Sequence, residues 1–349
     1  MMQSYSCPEI SIIIPVRNGL PFIKECLESV FRQTSAQWEV LIGDNGSTDG
    51  TREYLASLSD CRVSIFNHES NLGISGNLNF LFKRAKAPIC QILCADDYFI
   101  NEASLSTILA YWQSAPSDLG FAFALNEGAH SSLMRFERKC LLDFYPVGSS
   151  CEHFFLFGNI PGNLSNVSLR TSILDSCGFF ATDFRSALDY EFWARASENF
   201  GMGVLKNVLT HIRRHANTAS VYLNVKGEEI AEKEKIILWL YLKLKEKYPS
   251  LLFFLKLHAT LSYDSYYRQI GLKYLLKGRP AYYLFLQAHQ DSEFMLSRIL
   301  KWCVFIISAG GKFGLMLSAK YLHRKMEQHQ EEILKSKVHA AVLKMSQAH

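Results

Sequence analysis

Ile89-Cys90-Gln91-Ile92-Leu93-Cys94-Ala95-Asp96-Asp97-Tyr98 is the stretch on which the reading of this chain turns. An apolar run of strand length ends in two adjacent carboxylates. Like charges this close repel, and one is driven toward protonation unless a cation intervenes. A hard divalent ion with oxygen ligands, itself carrying a phosphate-bearing substrate, resolves the repulsion. A plain polar turn is the competing reading, because Asp tolerates turn geometry.

Outward from that stretch, strands and helices alternate. Residues 11–16, Ser-Ile-Ile-Ile-Pro-Val, form a β-branched apolar run stopped by proline, read as a buried strand. Residues 22–33 place Phe22, Cys26, Leu27, Val30 and Phe31 on one helical face. A second strand over 38–43 breaks into Asp44-Asn45-Gly46-Ser47-Thr48-Asp49-Gly50-Thr51, rich in turn formers and in N-cap residues for a helix over 51–58. A third strand over 63–66 and a helix over 77–87 complete the series. This alternation predicts an α/β fold with a doubly wound, mainly parallel sheet. Ligands of such sheets sit at the carboxyl ends of the strands. Three polar clusters fall there: Arg17-Asn18-Gly19, the Asp44 loop and Asp96-Asp97. No GxGxxG follows the first strand and no GxxxxGK[ST] occurs, which excludes the dinucleotide and P-loop readings.

Composition sets the class. With 48% hydrophobic and 20% charged residues, the chain buries a substantial core rather than staying disordered. Its first residues lack the basic flank and apolar core of a signal peptide. Nine cysteines without a CxxC pair indicate a reduced, cytosolic compartment. Charge is divided unevenly: from Lys226 on there are 20 Lys and Arg against 11 Asp and Glu, leaving 17 against 22 before it. A front of −5 suits a metal-dependent module, and a back of +9 suits contact with an anionic surface.

The back is helical by spacing. Ile230, Ile237, Leu240, Tyr241, Leu244 and Tyr248 share a periodicity that Pro249 ends. Helices are expected over 251–262, 265–276, 281–289, 294–307 and 313–335. The apolar run 302–317, broken at Gly310-Gly311-Lys312, falls short of the ~20 residues of a membrane span. Two readings stay open: an interfacial helix flanked by Arg298, Lys301, Lys320, Arg324 and Lys325, or a buried helix of a small bundle.

Taken together, Ser11 through Gly19, Asp44 through Thr51, Asn71-Leu72-Gly73, Ala95-Asp96-Asp97, Leu188-Asp189-Tyr190-Glu191-Phe192-Trp193-Ala194-Arg195 and Arg213-Arg214-His215 closely resemble family 2 glycosyltransferases of the GT-A fold. The resemblance covers roughly residues 9–222, giving a glycosyltransferase domain over 1–222 and a helical region over 223–349. It implies that Pro15, Val16, Arg17 and Asn18 line a nucleotide base and that Asp44, with Asn45 beside it, reads the base or ribose. Asn77 and Asn79 match positions near the nucleotide, and Asp96 lies nearer the ribose. Asp97 would coordinate Mn²⁺ or Mg²⁺ on the diphosphate. Arg213 and His215 match a basic segment that meets the diphosphate or metal, although a His beside two arginines is also an ordinary surface feature. Asp189 matches the general base, though Asp189 and Glu191 also fit a solvated helix face.

Three positions depart from the family pattern: Asn45 where many members have Asp, Leu78 where many have Arg, and Leu188 where Glu is usual. The resemblance implies an inverting hexosyltransferase that uses a nucleotide-diphospho-sugar donor and a hydroxyl acceptor such as a lipid-linked glycan of surface polysaccharide assembly. No nucleic-acid partner is expected. Peripheral contact with the inner face of the cell membrane and a homodimer are expectations for the C-terminal helices. A non-catalytic shell that binds nucleotide-sugar is the rival reading. A nucleotidyltransferase calls for a glycine- and lysine-rich N-terminal loop that is absent.

Overall fold

The computed structural model describes residues 7–35, 37–128, 131–215, 228–288 and 292–346. They fall into two compact units, residues 1–130, 138–150 and 159–232, and residues 131–137, 151–158 and 233–349. The boundary expected at 222/223 lies outside the described residues.

The first unit is built on an eight-stranded sheet. Its strands are β1 (Ile10–Val16), β2 (Trp38–Asp44), β3 (Val63–Asn67), β4 (Ile89–Ile92), β6 (Leu119–Ala124), β7 (Phe144–Tyr145), β8 (Val167–Arg170) and β9 (Gly201–Leu205), in the order β3-β2-β1-β4-β8-β6-β9-β7. A small antiparallel pair is formed by β5 (Tyr98–Phe99) and β10 (Thr210–His211). The β3-β2-β1-β4 half is parallel, whereas β8 runs antiparallel to both β4 and β6. The sheet is therefore mixed beyond the first four strands.

Pro15 does not end β1. The pairing of β1 with β4 stops at Ile13↔Ile92, so on that side no ladder bond needs the N–H that proline lacks. The strand runs on to Val16, opposite Asp44.

Both faces of β1 are buried, as its unbroken apolar sequence requires. Ile10, Ile12, Ile14 and Val16 pack with Ile23, Cys26, Leu27 and Val30 of α1 (Phe22–Phe31) and with Leu105, Ile108 and Trp112 of α4 (Ser104–Ser114). The loop after β2 leads into α2 (Thr51–Ala56). The helix expected over 77–87 is α3 (Gly73–Phe82), four residues earlier, with Leu78 and Leu81 fully buried. The Asn45 side chain fixes its start by accepting from Leu72 N (2.7 Å) and donating to Gly73 O (3.1 Å).

In the second unit the helices are the later part of Glu228–Lys247, then Leu252–Ala259, Ser265–Leu276, Ala281–Ala288, Arg298–Ile307 and Lys312–Ser346. A π-helical turn, Thr260–Asp264, joins the second to the third. The helix expected from Phe294 begins at Arg298. Phe294, Met295 and Leu296 are instead a buried turn, with Leu296 N donating to Thr260 Oγ1 (3.1 Å).

Candidate functional site

At the ends of β1 and β2 two loops are laced together. Asn18 sits at φ 53°, a left-handed conformation that Asn tolerates. Its Oδ1 accepts from Thr48 N (2.8 Å), and its own N donates to Ser47 Oγ (2.8 Å). Leu20 N donates to Asp49 Oδ2 (3.0 Å). Pro15 and Val16 lead into this turn, and Arg17 is exposed on it.

Asp44 is fully buried. It accepts from Ser47 N (3.1 Å) and from Arg52 Nε (3.0 Å), so an internal cation already answers its charge. Asn45 is turned toward Asn71 and the start of α3. Asn77 donates to Gly43 O (2.7 Å) and lies 3.0 Å from His68 Nε2. Any Cβ on residue 43 would sit 2.0 Å from that amide, which is why glycine stands there. Asn79 donates to Phe180 O (2.8 Å) and accepts from Phe180 N (3.0 Å). In this structure the amides of Asn45, Asn77 and Asn79 tie the fold together.

Asp96, Asp97, Arg213 and His215 are brought together across more than a hundred residues. Asp97 is 4% exposed; its Oδ2 accepts from Ser165 Oγ (2.5 Å) and its Oδ1 from Arg213 N (3.0 Å). His215 Nε2 lies 3.2 Å from Asp96 Oδ2, and its ring stacks on Phe22 at 4.7 Å. The Arg213 guanidinium is held 4.9 Å from both the Phe22 and Tyr98 rings and bonds Glu25 through Nη2. Its Nη1 is buried without a hydrogen-bond partner among the described residues.

Burial, reinforced by the neighbouring Asp96, pushes the Asp97 carboxyl up to about 6. The same burial drives the Cys94 thiol well above its usual value, with Asp97 and Asp96 adding to it, so it stays protonated. Ligand atoms of Cys94, Asp96 and Asp97 lie within 4.8 Å of one another. Two carboxylates, one of them destabilised by its burial and by the other's charge, beside a thiol that keeps its proton, make a donor set for a hard divalent cation rather than a soft one.

Asp189 belongs to a different cluster. It lies in the first turn of the helix Leu188–Ala196, and Asn159 Nδ2 donates to its Oδ2 (2.7 Å). Leu188 beside it is buried, as an apolar residue in that place should be. The loop entering this helix presents three successive N–H groups, of Arg185, Ser186 and Ala187, and all three donate at 2.8 Å to the buried carboxylate of Glu232. Successive N–H groups of this kind form an anion-holding nest.

The segment 159–165 links the clusters, since Asn159 holds Asp189 and Ser165 holds Asp97. In sequence, its Pro161, Gly162, Asn159 and Asn163 are ordinary loop composition. Ser165 and Glu232 are not among the residues expected from the sequence; they act across 68 and 45 residues and carry no local signal.

The family model described as Glycosyl transferase family 2 matches residues 11–187. An uncharacterized glycosyltransferase of Haemophilus influenzae is 25% identical over 248 residues, 66% of this chain and 73% of that protein. WfgD of Escherichia coli, a UDP-Glc:alpha-D-GlcNAc-diphosphoundecaprenol beta-1,3-glucosyltransferase, is 35% identical over 91 residues, 26% of this chain and 36% of that one. Among solved structures, S. aureus TarS 1–349 in complex with UDP-GlcNAc aligns with a TM-score of 0.50 at 18% identity, covering 91% of this chain and 92% of that one. Mannosyltransferase PcManGT from Pyrobaculum calidifontis, in complex with GDP-Man and Mn²⁺, aligns at 0.50 and 14%, covering 91% and 87%. The fold is the GT-A fold expected from the sequence.

Proposed function

Because this chain belongs to glycosyl transferase family 2, we propose that it moves a hexose, with inversion, from a nucleoside-diphosphate donor to a hydroxyl acceptor. One observation carries the reading: a buried, charge-strained Asp97, held by Ser165 Oγ and Arg213 N, stands beside Asp96, which faces His215. Asp97, with Asp96 beside it, would hold Mn²⁺ or Mg²⁺. When bound, the cation neutralises charge that builds on the leaving diphosphate.

The remaining roles fall to the chain's own groups. Pro15, Val16, Arg17 and Asn18 with Asp44 and Asn45 frame the nucleotide, while Asn77 and Asn79 shape that frame through Gly43 and Phe180. Arg213 and His215 face the phosphates. Asp189, oriented by Asn159, takes the proton of the acceptor hydroxyl, a role typically contributing on the order of 10²–10⁴-fold. The relative named for a diphosphoundecaprenol-linked sugar supports a lipid-linked glycan as acceptor, and the setting we propose is cell-surface polysaccharide assembly on the cytoplasmic side.

A panel of nucleotide-sugars, read by donor-dependent thermal shift and by transfer with and without Mn²⁺, tests the reading. Asp97→Ala is expected to lose donor binding and transfer, and Asp189→Ala to lose transfer alone. Full transfer by Asp189→Ala would remove the base assignment. Donor binding without turnover on any acceptor would favour the non-catalytic shell.

A further inference from the structure

The helix Arg298–Ile307 is amphipathic the wrong way round. Ile299, Cys303, Ile306 and Ile307 share one stripe at helical spacing, and that stripe faces outward, while Lys301 and Ser308 are buried. Past the Gly310-Gly311 turn, the next helix continues the pattern with Phe313 and Leu317. Ile299, Ile306, Ile307, Phe313 and Leu317 are 62–84% exposed. An outward apolar patch of this kind marks an interaction surface.

Charge identifies the occupant. Between Phe294 and Met326 there is no Asp or Glu, and the cations are Arg298, Lys301, Lys312, Lys320, Arg324 and Lys325. Lys320 and Arg324 follow Phe313 and Leu317 along the same exposed stripe. Seven residues at 1.5 Å each set Lys320 about 10 Å along the helix from Phe313, which matches the ~5–10 Å to which interfacial apolar groups sink. A second copy of the chain would bring cationic stripes face to face, at a cost. No helix of the described residues is long and apolar enough to cross a membrane.

We propose that this helical hairpin is a monotopic membrane device: its apolar tip enters the surface of an anionic bilayer, and the exposed Arg298, Lys320, Arg324 and Lys325 rest on the headgroups. The expectation that Lys301 would flank the device is corrected, since Lys301 is 1% exposed and lies on the inner face. The inference is independent of the sugar chemistry.

Co-sedimentation of the full chain with phosphatidylglycerol-containing vesicles and with pure phosphatidylcholine vesicles, at low and high salt, tests it. Binding to the anionic vesicles, weakened by salt, is expected. The double variant Ile307→Asn/Phe313→Asn should bind at least ten-fold more weakly. Lys320→Glu and Arg324→Glu should each cost about five-fold or more. These positions are exposed, so an unchanged Tm verifies folding. The proposal falls if the wild-type chain stays in the supernatant, if charge reversal has no effect, or if the apolar variants dissociate a dimer while vesicle binding is absent.

Discussion

Replacing Glu232 with Ala tests how the structure holds Asp189. The Glu232 carboxylate accepts from Arg185 N, Ser186 N and Ala187 N, each at 2.8 Å. Ala187 N is buried, and losing its acceptor costs ~1–3 kcal/mol. The other two N–H groups are part-buried and regain some water, each costing about 0.5–1.5 kcal/mol. The total is about 4 kcal/mol. At ~2–4 °C per kcal/mol for a unit of this size, the melting temperature should fall by roughly 8–16 °C.

Glu232→Gln retains one acceptor oxygen. Seated where Oε2 now takes two bonds, it loses only the bond to Arg185, so its loss should be about a third as large. Differential scanning fluorimetry and steady-state kinetics read both variants. Because Glu232 fixes the entry to the helix bearing Asp189, kcat should drop while the Kd for donor stays level. A Glu232→Ala variant melting within about 1 °C of wild type, with Gln indistinguishable from it, would refute the nest.

Three further outcomes are expected. Asp97, raised to about 6, keeps a proton in the native state that the unfolded chain has released, so native stability falls as pH climbs from ~4 to ~6, by at most about 3 kcal/mol. Asp97→Asn should therefore melt higher than wild type at pH 7.5 without metal and lose the Mn²⁺-induced shift; a retained shift would move the metal elsewhere. His258 is buried between Leu156 O (3.1 Å) and Ser318 Oγ (2.9 Å), and burial lowers it to about 4. The unfolded chain takes up this proton first, so stability is full above pH ~6.5 and declines by about 3 kcal/mol toward pH 4; chemical denaturation at several pH values should show this slope, and His258→Asn should flatten it. Asn159→Ala removes the donor to Asp189 Oδ2 and should lower kcat about ten-fold with donor affinity unchanged; a changed donor Kd would contradict that assignment.

Much of the front of this molecule is legible because its signals are local. The β1 run, the turn formers after β2 and the paired carboxylates each announce themselves within ten residues. What escaped reading depends on who reaches whom. Nothing near Asn79 says that its amide clasps Phe180, 101 residues away, and nothing near Glu232 says that three N–H groups wait for it. Periodicity located the C-terminal helices, but it fixes only that a stripe exists. Arg298–Ile307 turns its apolar stripe outward and buries Lys301 and Ser308, a choice that periodicity alone does not make.

The short run from Asn159 to Ser165 grips one carboxylate at either end. Such a tether works like a calliper: the span between its ends, rather than the grip of either end alone, sets the distance between the two carboxylates. Substitutions between its ends will shift nucleotide affinity and turnover in step, and loop libraries built there will select for compromise rather than for either property alone.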